Sequence, residues 1–263
     1  MIGGGELARC SRRDAQRAPV RDLEVIVPAF NEEDRIERTL AAIVEELNRL
    51  DLNSWVRVID NGSADQTADA VDRISSDSGA VTVTVEGCSL PGKGRAVARG
   101  MQTNCARWVG FCDADLATPA TAIAEATVLL AAGWPVVIGS RYVAGSKFTR
   151  EQPLLRRVGG WGFRQLVKGF VGDVADTQCG FKFFDGDVAS QVFDSLEFSG
   201  FAFDVEVLAR VLEMGLPIRE LAVEWSDIGG STFRPLRHGA EVALDLWRLR
   251  RDEQSGHRVL PWF

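Results

Sequence analysis

Two aspartates follow an apolar stretch near the middle of the chain. The stretch WVGFC, residues 108–112, leads directly into Asp113 and Asp115, which places two carboxylates at the tip of a buried strand. Alone, each carboxylate would raise the pKa of the other, whereas a shared cation favours both charged forms. Mg²⁺ and Mn²⁺ commonly bind one or two carboxylates together with substrate phosphates. The pair therefore predicts a divalent-cation site.

Acidic side chains also follow two other apolar runs. LEVIVP, residues 23–28, is followed by Glu32, and WVRVID, residues 55–60, ends in Asp60. Asn31 has the residue type of a helix N-cap and Asp65 that of an Asx turn, which explains both without a ligand. Asp60 ends a strand and is harder to explain as a cap. Its carboxylate is a candidate acceptor for a pyrimidine N–H.

A glycine-flanked lysine forms the third motif, in the sequence GKGRAVARG. Gly92 and Gly94 allow close approach of a ligand to the backbone, and Lys93 offers a positive charge for a diphosphate. The segment lacks the G-x-G-x-x-G register of a dinucleotide-binding fold, and the chain has no Walker A motif. The motif therefore indicates phosphate binding of another kind.

Apolar runs alternate with segments of helical spacing over the first half of the chain. Strands are predicted for residues 23–28, 55–60, 81–85, 108–113 and 135–140, and helices for residues 31–50, 66–76, 92–104 and 119–132. The alternation predicts an α/β fold, with a mainly parallel central sheet and helices on both faces. Ligands of such sheets bind at the carboxyl ends of the strands, where Asp60, the aspartate pair and Arg141 fall.

The alternation ends after Arg141. The segments that follow are a glycine-rich, aromatic and basic stretch at 157–171, a candidate added strand at 176–184, a helix at 203–215, a strand at 218–225 and a terminal helix at 236–251. No linker is visible, so we predict a single domain over residues 22–251. Residues 1–21 and 252–263 are predicted to be tails, the first of them mobile.

Composition excludes several classes of function. The net charge of −7 argues against nucleic acid as a partner. Five cysteines are scattered without CxxC spacing, which is typical of reduced thiols in a cytoplasm. No apolar run reaches the length of a transmembrane helix, and the N-terminal stretch lacks the apolar core of a signal peptide.

The order and spacing of the motifs carry a family resemblance. P-x-x-N-E, [DN]-x-G-S-x-D-x-T, G-K-G-x-A, D-x-D and G-S-R resemble family 2 glycosyltransferases with the GT-A fold. DTQCGFKFF, FAFDVEVL and VEWSDIGGST resemble the polyprenyl-phosphate hexosyl synthase branch, which includes dolichyl-phosphate β-glucosyltransferases. The resemblance covers residues 22–250. It implies a nucleotide-sugar half at 22–141 and an acceptor- and membrane-facing half at 142–251.

The resemblance also implies roles for individual residues. The nucleotide-binding residues are Pro28, Phe30, Glu32, Asp60, Lys93 and Asp113. The metal ligands are Asp113 and Asp115, with Asp115 as the chief ligand. The residues bordering the donor sugar are Gln178, Cys179 and Gly180, and the acceptor phosphate is bound by Arg141 and Arg157. The family often has two acidic residues where this chain has Asp60 and Asn61.

These roles imply transfer of a hexose or N-acetylhexosamine from a UDP-sugar to a polyprenyl phosphate, with inversion of configuration at the anomeric carbon. The resemblance also implies that Mg²⁺ or Mn²⁺ is the cofactor and that the catalytic residues are Asp115, Arg141 and Lys93. A hydroxyl acceptor would need a general base, whereas a lipid phosphate is already anionic. If the acceptor is a hydroxyl, Asp204, Glu206 and Asp227 are candidate bases, although Asp204 also suits a helix N-cap.

Three other functions remain open from the sequence. The same fold could transfer a sugar to a saccharide or another hydroxyl acceptor, and a non-catalytic nucleotide-sugar binding module belongs to a different class. Haloacid dehalogenase phosphatases also place two aspartates after a strand, but near the N-terminus and usually with Thr or Val where this chain has Ala117.

Segment 147–171 predicts a membrane contact. It holds six basic side chains against one acid, Glu151, and on a helical wheel Arg157, Arg164 and Lys168 form a narrow stripe beside a wide apolar face. This pattern suits a helix lying in the membrane interface, with its cations toward anionic headgroups. Its glycines weaken the helix, which is expected to order on lipid or in a homo-oligomer. We therefore expect a peripheral protein on the cytoplasmic face of a membrane.

Overall fold

The computed structural model describes residues 21–75, 78–149, 154–194, 196–198, 200 and 202–226, without the side chains of 154–158 and 161. The predicted tails, apart from Arg21, and the predicted helix at 236–251 lie outside these ranges. The elements in chain order are β1 (Arg21–Ala29), α1 (Ile36–Arg49), β2 (Ser54–Asp60), α2 (Thr67–Ser75), β3 (Thr82–Gly87), α3 (Lys93–Gln102), β4 (Ala106–Cys112), α4 (Ala122–Ala131), β5 (Val136–Ser140), β6 (Lys147–Phe148), α5 (Leu154–Val171), β7 (Phe181–Asp185), α6 (Gly186–Phe193), α7 (Phe203–Glu213), β8 (Ile218–Ala222) and β9 (Glu224–Trp225).

Seven strands form one sheet in the order β3-β2-β1-β4-β7-β5-β8. The described ladders within this sheet are parallel except those of β7, which runs antiparallel to both β4 and β5. The prediction of a mainly parallel sheet is therefore confirmed, and the added strand predicted at 176–184 is present as β7. The parallel strands β1, β2 and β4 end at one edge, which gathers the residues after them.

Helices cover both faces of the sheet, as the alternation of the sequence predicts. Apolar side chains of α1, α2 and α4 pack on one face around Val25, Val27 and Val58. Side chains of α3, α5, α6 and α7 pack on the other face around Ile26 and Phe111. None of the helices within the described ranges has the length and apolarity needed to cross a membrane.

A buried charge network ties β1, β2 and β3 together. Arg57 of β2 is 2% exposed and donates to Glu24 Oε1 at 2.6 Å and to Glu86 Oε1 at 2.9 Å. It also donates to Thr103 Oγ1 at 2.7 Å, just beyond the C-terminus of α3. Burial raises the pKa of Glu24, and Arg57 opposes that rise. The network joins three neighbouring strands beneath one helix.

The strand predicted at 218–225 is divided in two. β8 pairs with β5 in the main sheet, whereas β9 pairs with β6 in a separate two-stranded sheet. The buried Val223 stands between them, and its carbonyl accepts from the N–H of Lys147 at 3.2 Å. Beyond β9, the N–H of Ser226 donates to the carbonyl of Ala117 at 3.0 Å. The end of the described chain therefore reaches the turn that follows β4.

One close approach between strands yields a stability prediction. Gly110 of β4 faces Phe183 of β7, and a Cβ at position 110 would lie 2.3 Å from the Phe183 ring. Gly110→Ala should therefore lower the free energy of unfolding by about 1–3 kcal/mol, measured by urea denaturation, because the ring is fully buried.

Gly169→Ala in α5 is the matched control, since nothing lies within 4 Å of a Cβ there. It should leave the protein at least as stable, with a gain of up to about 1 kcal/mol from helix propensity. Equal stability of the two variants would show that Phe183 can move aside at no cost.

Candidate active site

The aspartate pair forms a tight turn at the end of β4. The N–H of Asp113 donates to the carbonyl of Gly180 at 2.9 Å, which continues the pairing of β4 with β7. Asp115 Oδ1 accepts from the N–H of Ala117 at 2.9 Å. Leu116, between Asp115 and Ala117, has a φ of +54°, in the left-handed region. The turn thus holds both carboxylates at the carboxyl edge of the sheet, as the sequence predicts.

The position of the Asp113 carboxylate leaves no room for a side chain at residue 180, which is a glycine. A Cβ at position 180 would lie 1.9 Å from Asp113 Oδ2 and 2.1 Å from its Cγ, so the carboxylate rests directly on the glycine backbone. The sequence placed Gly180 beside the donor sugar. The structure shows it as the surface that supports Asp113, and its place beside the donor sugar stays a prediction.

Lys93 is brought to the aspartate pair by the first turn of α3. Its Nζ lies 2.5 Å from Asp113 Oδ1. Burial lowers the pKa of Lys93, but Asp113, Asp204 and Asp115 together raise it above the ordinary value. Lys93 therefore stays protonated at neutral pH and supplies a fixed positive charge beside Asp113.

Negative charge is concentrated around this turn. Burial raises the pKa of Asp115, and the neighbouring charge of Asp113 raises it further. Burial also raises the pKa of Glu32; Arg35 opposes this, and Asp115 and Asp113 add to it. The three carboxylates are thus within electrostatic reach of each other. A cation at this edge would relieve their repulsion.

The donor set matches a cation that shares its ligands with a substrate. Across the described side chains, no group of three or more His, Cys, Asp or Glu residues is arranged to hold a metal ion. Asp113 and Asp115 nevertheless provide two carboxylates at an accessible strand end. Mg²⁺ and Mn²⁺ take oxygen ligands and complete their shells with phosphates and water. The pair fits an ion of this kind.

The predicted nucleobase residues lie at the ends of β1 and β2. Pro28 pairs with Ile59 near the end of the ladder between β1 and β2. Phe30 follows β1 with 57% of its surface exposed, so its ring is free to pack on a ligand. Asp60 Oδ1 accepts from the N–H and Oγ of Ser63, at 3.2 and 2.5 Å. The structure brings these residues to one edge, and base binding remains a prediction.

Asn31 does not cap α1. The helix begins at Ile36, and the Asn31 side chain accepts from the N–H of Ala64 at 2.9 Å instead. The prediction of a cap was wrong because residues 32–35 form a separate turn before the helix. The Asx turn predicted for Asp65 is present, since its Oδ1 accepts from the N–H of Thr67 at 3.0 Å.

Arg141 follows β5 and forms a two-point ion pair. Its Nε and Nη2 donate to the two carboxylate oxygens of Asp176 at 2.7 and 2.8 Å, and Asp176 is buried. The guanidinium also lies 5.3 Å from the ring centre of Trp225 and 5.6 Å from that of Tyr142. Burial lowers the pKa of Arg141, but the hydrogen bonds and the negative charge of Asp176 together raise it above the ordinary value, so Arg141 stays positively charged. Its acceptor role remains a prediction.

The segment 178–180 connects Asp176 to β7. The Cys179 side chain is 1% exposed and lies 3.7 Å from Thr118 Oγ1, so it packs into the core. Burial raises the pKa of Cys179 to about 11, which keeps the thiol neutral. The N–H of Gln178 donates to Asp176 Oδ1 at 3.2 Å. Arg157, the second predicted acceptor residue, lies in α5, and its side chain is outside the described set.

Sequence reasoning missed a buried ion pair behind the site. Lys182 of β7 is fully buried, and its Nζ lies 2.5 Å from Asp204 Oδ1 and 2.7 Å from the carbonyl of Cys179. Asp204 is therefore not the N-cap of α7, which is Ala202. A lysine inside the apolar run GFKFF was the available signal, since buried lysines need a partner.

Glu206, another candidate base, is also committed to the fold. It is fully buried, accepts from the N–H groups of Glu197 and Phe198, and pairs with Arg210 at 2.6 Å. Asp227 lies outside the described residues. Neither described candidate presents a free carboxylate for proton abstraction.

The sheet and its edge site define a class of protein by its architecture, that of the GT-A fold. The fold comparison supports this architecture. A structure of glucosyl-3-phosphoglycerate synthase from Mycobacterium tuberculosis with UDP superposes with a TM-score of 0.61 at 20% identity, covering 85% of this chain and 76% of that one. A complex of the same synthase with Mn²⁺, UDP and glucosyl-3-phosphoglycerate gives a TM-score of 0.59 at 20% identity, covering 84% and 75%.

The family model of glycosyl transferase family 2 matches residues 24–193, and the chain belongs to this family. Similar curated proteins are dolichyl-phosphate beta-glucosyltransferases. The Drosophila melanogaster protein is 34% identical over 245 residues, covering 88% of this chain and 75% of that protein. The Homo sapiens protein is 31% identical over 249 residues, covering 89% and 76%. The family resemblance derived from the motifs is thereby confirmed.

The contact beneath Asp113 yields a prediction for ligand binding. Gly180→Ala should weaken binding of UDP in the presence of MnCl₂ by at least about tenfold, because the new methyl group displaces the Asp113 carboxylate. Isothermal titration calorimetry measures this effect. Gly169→Ala, which meets no atom within 4 Å, should bind UDP as the wild type does. Unchanged binding by Gly180→Ala would show that the position of Asp113 does not matter for the donor.

Proposed function

We propose that the chain is an inverting glycosyltransferase that transfers a hexose or N-acetylhexosamine from a UDP-sugar to a polyprenyl phosphate. The observation that carries this proposal is the state of the two candidate bases that the structure describes. Asp204 is held by Lys182, and Glu206 is held by Arg210 and two backbone amides. An acceptor hydroxyl needs a base to remove its proton, whereas a phosphate oxygen attacks as an anion. The site therefore suits a phosphate acceptor.

The comparisons support both substrates of the proposal. Several relatives are named dolichyl-phosphate beta-glucosyltransferases, and these names favour a dolichyl-type acceptor and glucose as the sugar. The superposed synthase was crystallised with UDP and with UDP-glucose, which favours a uridine donor. For the base, Phe30 offers an exposed ring beside Asp60 and Pro28.

Asp113 and Asp115 would hold a Mg²⁺ or Mn²⁺ ion together with the donor diphosphate. When bound, such an ion neutralises charge that develops on the departing diphosphate. Lys93 contributes to the same neutralisation, because it is protonated and lies at the N-terminus of α3 next to Asp113. The acceptor oxygen forms its bond to the anomeric carbon as the bond to UDP breaks on the opposite side, so configuration inverts.

Arg141 would orient the acceptor phosphate. Asp176 holds its Nε and Nη2, and no described residue accepts a hydrogen bond from Nη1. A guanidinium fixed on one edge in this way can present its remaining N–H groups to a phosphate oxygen. Gln178 bonds to Asp176, the partner of Arg141, and Gly180 supports Asp113, so these two residues would border a donor sugar held between Arg141 and Asp113.

Transfer of label from UDP-glucose into lipid tests the proposal. With polyprenyl phosphate and MnCl₂, the wild type should move labelled glucose into the organic phase, and Asp115→Asn should reduce this at least about 100-fold. The variant should remain folded, because removing one of two crowded carboxylates relieves repulsion.

Asp185→Asn is the control for that experiment. Asp185 caps α6 by accepting from the N–H of Asp187, and asparagine caps equally well. This variant should transfer label as the wild type does. Wild-type transfer that persists in EDTA would contradict the metal role, and label that reaches only a soluble saccharide would contradict the phosphate acceptor.

We also propose a peripheral membrane contact, on the cytoplasmic face, through segment 147–171, in which Phe148 forms an aromatic patch with Tyr142 and Trp225. Phe148 lies 6.0 Å from Tyr142 and 5.9 Å from Trp225 between ring centres. Tyr142 and Phe148 are 38% and 40% exposed. The guanidinium of Arg164 in α5 lies 3.9 Å above the Tyr142 ring. Exposed aromatic rings beside basic groups suit an anionic lipid surface.

Flotation with liposomes tests this contact. The wild type should float with anionic vesicles and less so at high salt, because the basic residues interact with headgroups through screened charges. The double variant Tyr142→Ala with Phe148→Ala should float several-fold less, since it removes both exposed rings of the patch. Val128→Ala, which trims an exposed apolar side chain on α4, should float as the wild type does. Wild-type protein that fails to float with anionic vesicles would exclude the contact.

A further inference from the structure

Asn61 ties a loop to the end of β2 through three side-chain hydrogen bonds. Its Nδ2 donates to the carbonyl of Leu90 at 2.7 Å and to that of Cys88 at 3.4 Å. Its Oδ1 accepts from the N–H of Gly92 at 2.7 Å. The side chain therefore spans the connection between β3 and α3, residues 88–92, and bonds to both of its ends.

Backbone bonds fix Asn61 itself. Its N–H donates to the carbonyl of Ala29 at 2.8 Å, at the end of β1, and the carbonyl of Asp60 accepts from the N–H of Cys88 at 2.7 Å. The loop is thus fastened to the two strands that end at the predicted nucleobase site. Displacement of the Asn61 side chain would break its bonds to Leu90, at the centre of the loop, and to Gly92, at the end next to α3.

The far end of the loop leads directly to Lys93. Gly92 is the N-cap of α3 and has a φ of +116°, a conformation that favours glycine. Among the described side chains, that of Asn61 alone bonds to Gly92, because its Oδ1 accepts from the Gly92 N–H. The next residue, Lys93, begins α3 and pairs with Asp113. The place of the Lys93 charge therefore depends on how Asn61 holds Gly92.

Aspartate cannot replace Asn61 in this role. A carboxylate has no N–H, so it would lose the bonds to Leu90 and Cys88 and turn a negative oxygen toward two carbonyl oxygens. In this chain, the amide donors are used within the protein, to shape the loop.

We propose that Asn61 is a positioning residue for the donor diphosphate, acting through the 88–92 loop and Gly92 on Lys93. The role rests on the proposed function, because it assumes that Lys93 meets the diphosphate of a UDP-sugar. It assigns Asn61 no direct contact with the nucleobase.

Binding of UDP in the presence of MnCl₂, measured by calorimetry, tests the role. Asn61→Asp should raise the Kd for UDP about tenfold. Asn31→Asp is the matched control. It adds the same charge at the same edge of the sheet, but the Asn31 side chain accepts from Ala64, which a carboxylate does equally well. Asn31→Asp should therefore stay within about twofold of the wild type.

A double-mutant cycle with Lys93→Ala separates positioning from other causes. Once Lys93 is removed, Asn61→Asp should cost less than about twofold in Kd, because the group that it misplaces is gone. A second tenfold loss in the Lys93→Ala background would overturn the role, since it would mean that Asn61 acts on the base or on overall folding. Wild-type affinity of Asn61→Asp would overturn it as well.

Two further measurements keep the test decisive. If Asn61→Asp does not fold, Asn61→Ala removes all three side-chain bonds without the new charge and should show the same coupling to Lys93. Hydrogen exchange at the amides of Cys88 and Gly92 should also become faster in either variant.

A wild-type protein that does not bind UDP would reject the proposed function, and the positioning role with it. Normal UDP binding by both Asn61 variants would reject the positioning role alone.

Discussion

The carboxylate of Asp113 lies directly on the backbone of Gly180, and the geometry of the site depends on this contact. The contact exists because the antiparallel strand β7 is inserted between the parallel strands β4 and β5. The parallel half of the sheet brings Lys93 and Asp113 to one edge, but β7 supplies the surface on which Asp113 rests. The site around Asp113 is therefore completed by a segment from the second half of the chain.

Charges alternate in sign from the interior to this edge. Lys182 pairs with Asp204 in the core, and Lys93 pairs with Asp113 at the surface. Burial of the inner pair costs desolvation energy, which the Coulomb attraction repays only when the geometry is good. Asp204 also raises the pKa of Lys93, so this buried carboxylate favours the charged form of the lysine that faces Asp113. The buried ions thus have an electrostatic effect beyond their own contact.

The sequence predicted the layered sheet and the edge at which its site lies, because apolar runs and strand ends are local signals. It could not predict how charged residues inside those runs find partners. Asp204 looked like a cap at the start of α7, yet it pairs with Lys182, which is 22 positions away in the chain. Arg57 and Glu24 pair across neighbouring strands for the same reason. Such contacts depend on strand order, and pattern alone does not reveal the insertion of β7.

Ala117 is shared by the two sides of the site. Its N–H donates to Asp115, and its carbonyl accepts from Ser226, next to the strand that carries Trp225. A shift of the Asp115 turn on donor binding would therefore pull on the small sheet beside Arg141. Thermodynamic linkage makes this coupling reciprocal, so an acceptor that moves the small sheet would change donor affinity by the same factor. One residue, through its N–H on one side and its C=O on the other, thus gives the protein a physical means of making the binding of its two substrates cooperative.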